Sequence, residues 1–158
     1  MDARENIYLA VVGAGSASPE ICELAEAVGK EAALRGWIVL TGGLGGIMEA
    51  AAKGAREAGG MTLGILPGGD RSQANPYIHM AVATNMHHGR NAIIAQTADA
   101  LIAVDGEYGT LSEVALGLKL GKPVVGLMTQ WKVPGLLMAR DPKEAIDRVA
   151  ELVESKRG

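Results

Sequence analysis

Ala100-Leu-Ile-Ala-Val-Asp-Gly-Glu-Tyr-Gly-Thr-Leu-Ser-Glu113 is the stretch that decides the fold. An apolar run of strand length ends in a glycine turn, and a helical pattern follows from Leu111 to Leu120, so the unit reads strand, turn, helix. Gly106 and Gly109 allow a tight turn and close backbone approach. Thr110 then stands at the expected helix N-terminus, where unpaired N–H groups and the helix dipole favour an anion such as phosphate. Glu113, one turn further in, would lie beside that anion as a base or a cation stabiliser. The same residues also fit a capping box, in which Thr110 and Glu113 satisfy each other's backbone N–H groups. Spacing leaves both readings open.

The unit recurs on either side. Ile7-Tyr-Leu-Ala-Val-Val12 runs into Gly13-Ala-Gly15-Ser16-Ala-Ser18, and a helix follows with Ile21, Leu24, Ala25, Val28 and Ala32 on one face, opened by Ser18-Pro19 and closed at Gly36. Gly13-Ala-Gly15 is only part of a dinucleotide fingerprint, so a tight turn and a ligand contact at Gly15 and Ser16 both stand. Trp37-Ile-Val-Leu40 leads to Thr41-Gly42-Gly43-Leu44-Gly45-Gly46, then to a helix from Ile47 to Ala58 with Ala50, Ala51, Gly54 and Ala55 as its small-residue face. Four glycines exceed what one turn needs, which favours ligand contact over close helix packing alone.

Met61-Thr-Leu-Gly-Ile-Leu66 is a third buried strand, ending at Pro67-Gly-Gly-Asp70. The polar segment Arg71–Pro76 and a short strand within Tyr77–Ala83 follow, placed to act as a lid. A helix over Ala92–Ala98 comes next, just after Arg90, a residue that either clamps a phosphate or is a surface arginine. His79, His87 and His88 have no recognised ligand spacing, so no metal is expected. Gly121–Met128 holds a further parallel strand, Thr129–Ala139 is left unassigned, and Asp141-Pro-Lys-Glu144 opens a last helix with the stripe Ile146, Val149, Ala150 and Val153. The expectation is one Rossmann-like domain over residues 1–158: a doubly wound, mostly parallel α/β sheet with helices on both faces and every glycine loop at its carboxyl edge.

Composition narrows the function. The 158 residues suit one domain with a sizeable core, 48% are hydrophobic, and Phe is absent, so helix packing must rely on Ala, Val, Leu, Ile and 7 Met. A net charge of −3 without a basic block excludes a nucleic-acid footprint. One cysteine, Cys22, excludes an intramolecular disulfide, and neither a membrane-spanning run nor a signal segment is present; the expectation is cytoplasmic, with no membrane partner. Met- and Ala-rich helix faces point to a homo-oligomer, a dimer or tetramer.

Thr41-Gly-Gly-Leu-Gly-Gly-Ile-Met-Glu-Ala50, Arg90-Asn91 and Gly106-Glu-Tyr-Gly-Thr-Leu-Ser-Glu113 resemble the successive motifs of the Lonely Guy superfamily, once labelled "possible lysine decarboxylase". The likeness spans Ile7 to about Met128, and the short length resembles the small bacterial branch and the molybdenum cofactor carrier proteins. The family's enzymes hydrolyse the N-glycosidic bond of nucleoside 5′-monophosphates, without a cofactor. The resemblance implies that Glu113 and Arg90 are catalytic, with Gly109 and Thr110 holding the 5′-phosphate. Gly15, Ser16, Gly42, Gly43, Gly45, Gly46 and Gly106 complete the expected ligand loops. The chain departs from the motif Pro-Gly-Gly-x-Gly-Thr-x-x-Glu at Asp105 and Glu107, each adding a carboxylate near the phosphate. No pyridoxal phosphate lysine motif supports decarboxylation. The first expectation is therefore a protein that binds a phosphorylated nucleotide-like or pterin-like small molecule, with the molybdenum cofactor or a nucleotide as its cargo, and the second is the phosphoribohydrolase.

Overall fold

Short β-branched and aliphatic runs separated by glycine turns form seven strands, and the apolar stripes between them form five helices; the computed structural model describes residues 2–157. In chain order these are β1 (Tyr8–Gly13), α1 (Pro19–Leu34), β2 (Ile38–Thr41), α2 (Ile47–Glu57), β3 (Thr62–Leu66), β4 (Met80–Ala83), α3 (Arg90–Thr97), β5 (Ala100–Val104), α4 (Tyr108–Lys119), β6 (Val124–Leu127), β7 (Leu137–Ala139) and α5 (Pro142–Arg157). The sheet order is β4-β3-β2-β1-β5-β6-β7 and all six pairings are parallel. The expected doubly wound α/β fold is therefore present. β7 lies in the segment that the sequence left unassigned.

The local signals act as their chemistry dictates. Ser18 Oγ accepts from the Ile21 N–H, with Pro19 in the first turn of α1, and Gly36 follows the helix at φ +78°. Asp141 Oδ1 accepts from the Glu144 N–H to start α5. α1, α2 and α5 cover one face over a core that includes Leu9, Val28, Ile47, Ile102 and Ile146, while α3 and α4 cover the other over Leu40, Ile94, Leu101 and Val114. The described helices include none long and apolar enough to cross a membrane.

Without phenylalanine, α1 and α2 reach close contact through glycine. A Cβ on Gly29 would collide with the Ala51 carbonyl, and one on Gly54 with the Glu26 carbonyl. Helix propensity alone makes Gly54→Ala stabilising by about 1 kcal/mol. Backbone collision reverses that sign, and urea unfolding should show a loss of about 1–3 kcal/mol instead. A stabilised Gly54→Ala protein would remove glycine from the account of this helix pair.

Candidate functional site

The parallel sheet sends the exits of β1, β2, β3, β5 and β6 to one edge. β1 and β5 are neighbours, but the chain leaves β1 for the α1 face and β5 for the α4 face, so Gly13–Ser18 and Asp105–Glu107 part at the switch point where a doubly wound sheet characteristically opens its crevice. Among the described residues four non-glycines adopt positive φ, Asn85, His87, Asp105 and Met128, all beyond strand ends at this edge. Such strain gathers where a fold holds a site.

The β5 exit is built by Asp105 at φ +50°, whose N–H donates to Leu127 O at 2.8 Å, and Gly106 at φ +103°. A Cβ on Gly106 would meet Thr110 Oγ1 at 2.5 Å, so that glycine is what admits the buried threonine. α4 begins at Tyr108, one turn earlier than the pattern predicts, with Glu107 as its N-cap and no side chain capping it. This corrects the capping-box reading. Thr110 is the third residue of the helix and Glu113 lies in its second turn, too far along to satisfy a first-turn N–H. The first-turn amides of α4 therefore have no side-chain acceptor among the described residues, and Gly109, exposed with nothing within 4 Å of its missing Cβ, leaves the approach open.

Arg90 is the first residue of α3 and is buried, 8% exposed, which removes the surface-arginine reading. Its Nη1 donates to Asn91 Oδ1, its Nη2 lies where Gly42 leaves room (a Cβ there would sit 2.6 Å away), and its Nε is buried without a partner among the described residues. Burial lowers its pKa and Glu113 acts in the opposite direction. Asn91 Nδ2 donates to Ser112 Oγ at 3.1 Å, and Ser112 Oγ donates to Gly109 O at 2.6 Å. A hydrogen-bonded chain thus links the guanidinium to the first turn of α4. Sequence reasoning gave Asn91 and Ser112 no role, although both stand inside the quoted motifs.

Glu113 is 7% exposed, and burial pushes its carboxyl up to about 7, with the Arg90 charge opposing the shift. No ion pair within 4 Å joins it to Arg90 among the described residues. The two expected catalytic groups therefore share one buried region as a cation with an unmatched donor and a carboxyl that titrates near neutrality.

On the β2 exit, Gly43 (φ +79°) donates to Thr41 Oγ1 at 3.0 Å and is closed by Leu66, and Gly46 (φ +62°) is closed by the Ala14 carbonyl. Close packing accounts for Gly42, Gly43 and Gly46. Gly15 and Ser16 are exposed, and Gly45 faces Gly15 O. Gly15, Ser16, Gly46, Glu49, Lys53 and Tyr77 border a groove of about 460 Å³ beside this loop. The proposed lid segment is anchored to it: Asn75 N–H donates to Gly43 O at 2.9 Å, and Asn75 Nδ2 to Leu44 O at 2.8 Å. His79 Nδ1 is engaged with Thr62, and no group of three or more His, Cys, Asp or Glu side chains converges among the described residues.

The SLOG cluster4 family matches residues 6–154. A protein of Archaeoglobus fulgidus is 42% identical over 141 residues, which is 89% of this chain and 93% of that one. The cytokinin riboside 5′-monophosphate phosphoribohydrolase of Mycobacterium marinum is 37% identical over 99 residues, 61% of this chain and 53% of the enzyme. Of solved structures, the molybdenum cofactor binding protein of the phototrophic bacterium Rippkaea orientalis superposes with a TM-score of 0.89 at 33% identity, covering 94% of this chain and 98% of its own. The molybdenum cofactor carrier protein of Chlamydomonas reinhardtii gives 0.87 at 36%, covering 94% and 99%.

Glu113 sets a pH dependence. Its folded pKa lies above the ordinary 4.5, so the native state holds the extra proton between about pH 4.5 and 7, and stability falls as pH rises through that window before levelling off. Glu113→Gln should flatten that part of the profile and leave the variant more stable than wild type at pH 8, by at most about 3 kcal/mol. Parallel wild-type and variant profiles in denaturant titrations from pH 4 to 8 would show that Glu113 is not the group responsible.

Proposed function

This chain belongs to the SLOG cluster4 family, as the Lonely Guy resemblance implied, and from that premise we propose that it is a carrier. Its cargo is a phosphorylated nucleotide-like or pterin-like small molecule, with the molybdenum cofactor the first choice, bound across the glycine loops at the carboxyl edge of the sheet. The observation that carries this reading is the extent of likeness. The match to the two molybdenum cofactor proteins runs nearly the full length of both partners, whereas the chain spans about half the length of the phosphoribohydrolase it matches.

The chemistry of the crevice supports an anionic ligand. Free amides at the start of α4 and the Arg90 guanidinium, its Nε unmatched among the described residues, supply donors that gain strength away from water. Gly15, Ser16, Gly45 and Gly106 stand on the loops and Gly109 and Thr110 in the first turn of α4, and Asn91 and Ser112 hold the two donor groups in register. Carriage needs a tight hold and no bond breaking, so the site need do nothing beyond this.

The β5 exit separates the chain from motif-complete hydrolases. Proline, which the family motif has at position 105, fixes φ near −65° and has no N–H to donate. Asp105 is at φ +50° and donates to Leu127, so the turn follows a path that proline cannot take. Two carboxylates also stand in this turn. At an effective dielectric of about 20, like unit charges 4 Å apart repel by roughly 4 kcal/mol, which disfavours a dianionic monophosphate placed against either one.

The second reading, hydrolysis of nucleoside 5′-monophosphates, is favoured by one observation: a buried Glu113 with a carboxyl near pH 7 can take up or release a proton at neutral pH, with Arg90 to orient a substrate. Incubation with a panel of nucleoside 5′-monophosphates, following free base by chromatography and melting temperature in parallel, separates the two. The carrier reading expects no base release. It also expects thermal stabilisation by a phosphorylated pterin or nucleotide, abolished in Arg90→Ala and weakened in Gly109→Ala, whose fold has room for the methyl group. Base release by the wild type that disappears in Glu113→Gln would overturn it in favour of the hydrolase.

A further inference from the structure

The loop after β1 has a second side. There the groove of about 460 Å³ opens beside α1 and α2, bordered by Gly15, Ser16, Gly46, Glu49, Lys53 and Tyr77, and its volume falls within the roughly 300–1,000 Å³ of small-molecule sites. Gly15 and Ser16 belong to the loop that parts from Asp105–Glu107 at the switch point, so the groove shares that wall with the candidate anion site. Packing does not explain why position 15 is glycine. Gly15 is exposed, its φ is not positive, and a Cβ there would meet nothing nearer than Met48 Cε at 4.0 Å, whereas one on Gly13 would strike Ile47 and one on Gly46 the Ala14 carbonyl. Bare backbone at that place leaves a path over the loop for a chain of ligand atoms.

Glu49 gives the groove its chemistry. It stands half-buried in the first turn of α2, four residues before Lys53, the order and spacing in which a helical glutamate and lysine ordinarily pair. Lys53 Nζ turns to Glu26 of α1, at 3.9 Å, and no ion pair within 4 Å holds Glu49 among the described residues. The helix dipole favours an acid here but does not explain why its natural partner looks elsewhere. An unpaired carboxylate on a groove wall offers two acceptor oxygens to a vicinal diol, the use to which nucleotide-binding α/β folds put an acidic residue on a ribose. Tyr77 brings an aromatic side chain to the same groove, a surface on which a base can stack.

We propose that this groove is a nucleoside subsite and that the ligand is dinucleotide-like: a pyrophosphate diester running from the start of α4 over Gly15, with a ribose on Glu49 and its base against Tyr77. The inference rests on the anion-binding reading of the crevice and extends it to the far end of the ligand. Charge at the β5 exit agrees. A monoester phosphate carries close to two negative charges at neutral pH and each phosphate of a pyrophosphate diester carries one, so Asp105 and Glu107 repel the diester about half as strongly per phosphate.

AMP and diadenosine diphosphate carry nearly the same charge and differ by one nucleoside, so titration calorimetry with the two reads the groove. The dinucleotide should bind about tenfold tighter than AMP, and Glu49→Ala should remove that gap while leaving the affinity for AMP unchanged. Cys22, the one cysteine of the chain, also borders the groove and is half-buried, which supplies a readout that needs no variant. Labelling of wild-type Cys22 by iodoacetamide, followed by intact mass, should slow with the dinucleotide bound and not with AMP. Equal affinity for the two ligands, both lost in Arg90→Ala, would overturn the inference and leave the carrier reading standing. A dinucleotide advantage that survives Glu49→Ala, with Cys22 unprotected, would overturn it as well. Binding of neither ligand, with Cys22 labelled at one rate throughout, would remove the nucleotide-like cargo and the inference together.

Discussion

Every strand in this sheet points the same way, and the rest of the molecule follows from that constraint. Parallel neighbours cannot be joined by a hairpin, so each connection must cross over a face, and most of these crossings are made by helices. All strand exits then share one edge. Where winding reverses, between β1 and β5, two exits diverge to opposite faces, and it is there that folds wound this way open a crevice. The crevice is a property of the winding; the glycines decide how close a ligand comes to the backbone.

Arg90 and Glu113 show what that edge does to charge. A guanidinium and a carboxyl, each more than nine-tenths buried and with no ion pair between them within 4 Å, are an expensive arrangement for a protein interior, where an unpaired charge loses several kcal/mol of hydration. The carboxyl responds by holding its proton to about pH 7; the guanidinium responds by leaning on Asn91 and leaving Nε unmatched. Neither response removes the cost fully. An arriving oxyanion would complete the donor set, which is the physical sense in which the site is preorganised.

The strands and the carboxyl-edge loops were legible in the sequence because apolar runs bounded by glycine have few other solutions. Ala100–Val104 is the strand that the pattern predicts, residue for residue. Legibility ended where tertiary context chose between local options. Thr110-Leu-Ser-Glu113 has capping-box spacing, but Gly106 in a left-handed conformation lets α4 begin at Tyr108 and carries both residues past the cap. β7 was missed because three residues with Met138 exposed give no periodicity, and a parallel edge pairing with β6 is all that defines the strand. Arg90 read equally well as a surface residue, since nothing local announces that the Gly42 loop, from a different part of the chain, packs against its guanidinium. Some loop glycines proved to have packing reasons that no motif records. Gly43 and Gly46 make room for Leu66 and for the Ala14 carbonyl, and would be needed with no ligand at all.

Asp105 gives the turn a history as well as a shape. A left-handed backbone that donates to Leu127 has no room for proline, so exchange between this turn and the motif form cannot proceed by that one replacement while the backbone stays as it is. The peptide path must change first, through neighbours such as Gly106 and Glu107, and only afterwards does proline become tolerable. The order of substitutions is thereby constrained. Related chains that share the winding of this sheet but differ at that residue are separated by an epistatic barrier, one set by a single dihedral angle and one amide proton.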